Sequence, residues 1–159
     1  MSSYLDPVEH SLASKGVRFA NFLIDYILLL VLMFILGALL VVFGMESSLT
    51  IFDVPFVGNL VGILIYFVYI FAQEAAFKGR SLGKFITGTQ AVMLEDGNPP
   101  TLNAVFIRSI SRCVPFEVFS FFGTTGWHDA WSKTRVVNKK EFEQNRQKFN
   151  AIDQIGANS

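Results

Sequence analysis

The sequence predicts an α-helical membrane protein: an antiparallel two-helix transmembrane hairpin, an interfacial or re-entrant amphipathic helix, and a small cytoplasmic β element. Three observations predict it. Of 159 residues, 52% are hydrophobic and only 16% are charged, whereas a soluble domain carries about 25% charged residues. Residues 19–43 form a run of 25 whose only strongly polar members are Asn21 and Asp25. Phe56 to Gln73 forms a second run of 18 residues, rich in Val, Ile, Phe and Tyr.

The same composition excludes several function classes. Thirteen Lys and Arg balance thirteen Asp and Glu, so no net field attracts nucleic acid. One Cys cannot build an internal disulfide framework, and two His with one Cys are too few for a closed zinc site. The 17 Phe speak against disorder, which is poor in aromatics. No enzyme activity, cofactor or metal is expected, and the lipid bilayer is the first partner.

A span needs about 20 mostly apolar residues, so the first run is long enough to cross with some tilt. It is too long for the core of a cleaved signal, and no small-x-small site follows it. The linker Gly44 to Pro55 holds Glu46 and Asp53 but no Lys or Arg. The second run is near the lower length limit and is closed by Glu74. The opposite flanks hold Lys15, Arg18, Lys78, Arg80 and Lys84. The positive-inside rule therefore puts both ends of the hairpin in the cytoplasm.

After the second span, Thr89 to Leu94 reads as a strand. Glu95-Asp96-Gly97-Asn98 is a turn signal, with Pro99-Pro100 stopping any regular continuation. Ala104 to Phe122 is apolar but contains Arg108, Arg112, Pro115 and Glu117. At 100° per residue, Phe106, Ile107, Ile110, Cys113 and Val114 share one face, opposite Arg108, Ser109, Ser111 and Arg112. That pattern suits a helix lying in the interface, broken at Pro115. Trp127 and Trp131 stand at i,i+4, as in an aromatic belt. Thr134 to Val137 is a second strand candidate, able to pair with the first. Residues 139–159 form a polar cytoplasmic tail, with Phe142, Phe149 and Ile152 spaced as a weak helical stripe on a solvated, partly frayed helix.

The sharpest candidate site is the polar stripe Arg18, Asn21 and Asp25, at i, i+3 and i+7 of the first span. A carboxylate inside the apolar zone is costly and faces protein or water. The second span offers Asn59, Tyr66 and Gln73 at seven-residue spacing, flanked by Tyr69 and Gly62. The stripes are expected to face each other, with Gly62 allowing close approach and a tyrosine hydroxyl or an arginine satisfying Asp25. Arg108 and Arg112 project together from the amphipathic helix. They are expected to snorkel toward lipid phosphates or, alternatively, to reach Asp25. Gly79-Arg80-Ser81-Leu82-Gly83-Lys84 superficially suggests a phosphate loop, but its glycine spacing is too short and Phe85 stands where Ser or Thr should hold magnesium. His128 and Asp129 are adjacent without a nucleophile in a matching context.

Arg18 at the mouth of the first span, Asp25 inside it and Asp129 late in the chain resemble the RDD family of bacterial membrane proteins, named for one arginine and two aspartates. RFANFLIDYILL (Arg18 to Leu29) is similar to its first helix, and GRSLGKFITGTQAV (Gly79 to Val92) to its glycine-rich segment. GWHDAWSKTRVV (Gly126 to Val137) is similar to its closing segment. The resemblance covers residues 14–138 and implies a membrane domain in the bacterial cytoplasmic membrane. Here the stretch between the paired arginines and the closing segment is shorter than in many members. Some members are associated with monovalent cation/proton exchange, so the resemblance implies such transport through Asp25, by an oligomer or with a partner subunit. The alternative is a non-enzymatic scaffold or assembly subunit of a membrane complex.

Overall fold

The structure is a computed structural model that describes residues 6–113 and 127–157. It is mostly helical, with two helices long and apolar enough to cross a membrane and one two-stranded sheet. Helix α1 (Lys15–Val42) starts at Ser14, whose hydroxyl accepts from the Val17 amide at 3.3 Å. That bond satisfies one of the orphan donors of the first turn. Helix α2 (Pro55–Ala76) begins with proline at its first position, where the missing N–H costs nothing. Between them, Glu46–Asp53 winds as a 3-10 helix. Only 11% of the most apolar stretch of α1 and 6% of that of α2 is buried within the protein. These are therefore not core helices of a soluble globule: their apolar surfaces are left for lipid or for another chain.

The remaining elements gather at one end of these helices. Helix α3 (Leu82–Thr87) packs on α1, and α4 (Leu102–Arg112) packs on α2 and on α5 (Trp127–Trp131). Strands β1 (Thr89–Met93) and β2 (Thr134–Asn138) pair antiparallel, with Ala91 opposite Val136. The expected second strand and its partner thus form one sheet. Leu12 adds an isolated bridge to Val137.

Helix α6 (Lys139–Ala157) is continuous rather than frayed over its described length. Its Phe142 is buried against Val8, Val92 and Val137. Phe149 and Ile152 stay exposed, so only the first member of the expected stripe enters the core. The tail is tied down because its first turn closes the platform core over the N-terminal segment.

Two expectations about the spans are corrected. Gly62 does not mediate a close helix crossing: nothing lies within 4 Å of where its Cβ would sit. Among the described residues α1 and α2 do not pack closely on one another. A cleft of about 400 Å³ lies between them instead, lined by Tyr26, Leu29 and Met33 on one side and Asn59, Gly62 and Tyr66 on the other. The expected amphipathic helix is present as α4, but only to Arg112; the expected break at Pro115 and the rest of that segment lie outside the described residues.

Candidate functional site

Asp25 is fully buried in α1. Its carboxylate accepts from the Ser81 hydroxyl at 2.5 Å and from the Gly83 amide at 2.7 Å. Neither a tyrosine nor an arginine satisfies it, contrary to expectation. The partners come from the glycine-rich segment, whose Ser81 caps α3 through the Lys84 amide at 3.4 Å. A segment that superficially suggests a phosphate cradle thus presents its hydroxyl and amide to a carboxylate of its own chain. The approach requires glycine: a Cβ on Gly83 would stand 2.5 Å from the Asn21 carbonyl oxygen and 3.1 Å from the Asp25 carboxyl carbon.

The neighbouring residues of both stripes reinforce the same junction. The Asn21 amide donates to the Thr89 hydroxyl at 2.9 Å, and its oxygen accepts from Thr87 at 2.5 Å. Gln73 of α2 accepts from the Leu82 amide at 2.8 Å and donates to the Tyr69 carbonyl at 3.3 Å. Asn21 and Gln73 thereby hold the two ends of α3. The Tyr69 hydroxyl is buried with no hydrogen-bond partner among the described residues. Tyr66 lines the cleft.

A second cluster lies beside the first. Glu74, at the end of α2, is completely buried and meets three cations: Lys84 at 2.6 Å, Arg108 at 2.8 Å and Arg112 at 3.2 Å. Arg108, also completely buried, extends to Asp129 at 2.5 Å and donates to the Thr134 hydroxyl. The other Asp129 oxygen lies 3.9 Å from Arg18. Arg18 therefore faces Asp129, not Asp25. Five elements and the sheet meet through side chains here: Arg18 on α1, Glu74 on α2, Lys84 on α3, Arg108 and Arg112 on α4, Asp129 on α5 and Thr134 on β2.

The expectation that Arg108 and Arg112 snorkel is overturned, as is the alternative that one of them reaches Asp25. The helical faces of α4 are as the periodicity indicates, with the apolar face outward, but the polar face meets the protein and not headgroups or water. Arg108, Ser109, Ser111 and Arg112 point into the protein, while Leu102, Phe106 and Ile110 are exposed. The physical reason is the buried Glu74: an unpaired carboxylate there would cost several kcal/mol, and the two arginines one turn apart supply its partners. Phe106 meets Phe67 and Phe71 of α2 edge-on, at 5.6 and 6.2 Å between ring centres.

The electrostatics follow from burial. Burial opposes the Arg108 charge, but Glu74 and Asp129 overcome it and hold the guanidinium above its ordinary range. For Lys84 burial wins. It pushes the ammonium down to about 8 despite Glu74, and Arg108 and Arg112 push the same way. In the sequence Glu74 reads only as a closing charge of the second span and Lys84 only as a flank charge. The available signal was the acidic residue directly after Gln73 on the second stripe, with no local basic partner on its own helix.

A model of the RDD family matches residues 12–134 of the chain. No curated protein and no solved structure matches it.

Proposed function

The chain belongs to the RDD family, whose members are membrane-associated bacterial proteins, and from that premise we propose that it is a non-enzymatic scaffold or assembly subunit of the bacterial cytoplasmic membrane. In this reading α1 and α2 cross the bilayer as an antiparallel hairpin, with both chain termini in the cytoplasm. Helix α4 lies at the interface with its apolar face toward lipid. The platform of α3, the sheet, α5 and α6 docks a partner, and further subunits cover the apolar flanks of the spans.

The observation that carries this reading is the occupation of both Asp25 oxygens, by Ser81 and Gly83. A carboxylate held by two short bonds from its own fold latches α3 to α1. Arg18 and Asp129 act alike at the second cluster: they tie α1 to α5, while Arg108 ties α5 to Glu74. The three residues that name the family thus serve the same structural end, fixing a platform to the membrane helices.

Monovalent cation or proton transport is the second reading. One observation favours it: among the described residues the partners of the Asp25 carboxylate are a hydroxyl and an amide, not a cation, and a carboxylate inside a membrane helix is a candidate for an ion pathway. Flux in proteoliposomes separates the two. The scaffold reading predicts that wild type and Asp25→Asn both match protein-free vesicles, while a stoichiometric partner co-purifies from native membranes. Proton-coupled sodium or potassium flux in wild type that Asp25→Asn abolishes would overturn it.

A further inference from the structure

Helix α3 has two unlike faces. Ser81 at its cap, Gly83 and Lys84 are buried against α1 and α2. Leu82, Phe85 and Ile86 point away, with 41%, 42% and 69% of their surface exposed. The inner face is fixed by its bonds to Asp25, so α3 cannot roll to hide these side chains without breaking that latch.

The apolar patch continues onto the end of α2. Phe77, the residue after that helix, is exposed and meets the Phe85 ring edge-on at 5.3 Å. Cations border it: the Arg80 guanidinium lies 3.8 Å from the centre of the Phe85 ring, and Lys78 is exposed. An apolar face edged by basic side chains is the pattern of a segment lying in the membrane interface. The basic stems lie along hydrocarbon while their heads reach water or phosphate.

Depth identifies what covers this face. A hydrocarbon core of about 30 Å takes about 20 helical residues. Counted back from Val42, the linker end of α1, that places the near boundary at Leu23. Counted on from Pro55, the linker end of α2, it falls at Glu74. Asp25 and Glu74 thus stand near one boundary, and α3 bonds to the first through Ser81 and Gly83 and to the second through Lys84. With α1 and α2 crossing the bilayer, the outer face of α3 lies where headgroups meet acyl chains.

We propose that α3 is an interfacial foot: Leu82, Phe85 and Ile86, with Phe77, seat in lipid at the cytoplasmic boundary. The segment latched to Asp25 on one side is then held by the bilayer surface on the other. This rests on the reading that α1 and α2 cross the membrane, and it holds for scaffold and transporter alike. It leaves the sheet and α6 as the part of the platform open to a partner.

The test uses the full chain in nanodiscs of phosphatidylglycerol and phosphatidylcholine, with Cys113→Ser removing the native thiol. A nitroxide is attached at Ile86→Cys, or at Leu82→Cys should the first variant not fold. Collision with oxygen, which concentrates in hydrocarbon, against collision with a water-soluble nickel chelate reads the depth. Leu32→Cys near mid-span and Glu143→Cys on the exposed side of α6 calibrate it. The label at position 86 is expected about 5–10 Å below the headgroup boundary, shallower than Leu32→Cys and shielded from nickel relative to Glu143→Cys. Nickel access equal to that at Glu143→Cys, with Leu32→Cys reading deep, would overturn the proposal and leave the crossing of the spans intact. A Leu32→Cys label in water would overturn the crossing and the proposal with it. A position-86 label shielded from both agents would also overturn the proposal, because protein would then cover the face. Dipolar broadening relieved by dilution with unlabelled chain would identify that cover as a second copy.

Discussion

Glu74 of α2 and Arg108 of α4 meet at 2.8 Å with neither side chain exposed, although 34 positions separate them in the chain. This contact joins a membrane-crossing helix to the platform, and Arg108 carries it on to Asp129 and Thr134. Removing Arg108 takes one of three cations from the buried Glu74 and the short-range guanidinium from the buried Asp129, and breaking a buried ion network of this kind costs about 3–5 kcal/mol. Arg108→Met is therefore expected to lower stability by about that amount. Arg108→Lys should rescue little, because a single ammonium cannot reach Glu74, Asp129 and Thr134 together. Thermal unfolding of the three proteins in one detergent checks this.

The two glycines facing the α1 side behave oppositely. Gly83→Ala places a methyl 2.5 Å from the Asn21 carbonyl oxygen, so α3 must move off α1, and destabilisation of about 1–3 kcal/mol is expected. Gly62→Ala meets open space and should be neutral or stabilising by up to about 1 kcal/mol, through helix propensity alone. Denaturation of the two variants side by side gives the sign of each.

Lys84 gives the fold a pH dependence. Its folded-state value, about 8, lies below the unfolded value of about 10.4. At pH 7 both states are protonated and the full cost of burying the ammonium is present. Between about 8 and 10.4 the folded state binds fewer protons than the unfolded state, so this group's contribution to stability rises with pH. Wild type should gain stability relative to Lys84→Met across that window. A difference between the two that stays flat with pH would count against it.

The Arg18–Asp129 contact is long, at 3.9 Å, and sits at the edge of the cluster. Arg18→Gln is therefore expected to cost less than Arg108→Met. A double-mutant cycle of Arg18→Gln with Asp129→Asn should give a coupling smaller than that between Arg108 and Glu74. The same unfolding assay reads both.

What was legible in the sequence is what depends on local periodicity. The two apolar helices follow from runs of uninterrupted hydropathy. The stripe Arg18, Asn21 and Asp25 follows from helical phase, and all three residues are turned toward the platform. The sheet follows from two short β-prone stretches with a turn signal after the first. What was not legible is pairing across the chain. The partners of Asp25 include a backbone amide, at Gly83, which leaves no side-chain signature, and Ser81, which is 56 positions away. Arg108 and Arg112 share the face of α4 that the periodicity indicates, but that face pairs with Glu74 and not with lipid phosphates. A soluble protein turns its apolar face inward, whereas here Phe106 and Ile110 face out and the polar face meets Glu74. Val8 and Phe142 find each other only once the sheet stands between them.

Amide hydrogen exchange of the full chain in nanodiscs, comparing wild type with Asp25→Asn, tests the latch most directly. The substitution removes the charge that holds the Ser81 hydroxyl and the Gly83 amide, so the account predicts faster exchange at Gly83 and across Leu82–Thr87, with the centre of α1 unchanged. Equal protection of that segment in the two proteins would contradict it, because Asp25 would then be holding nothing in place.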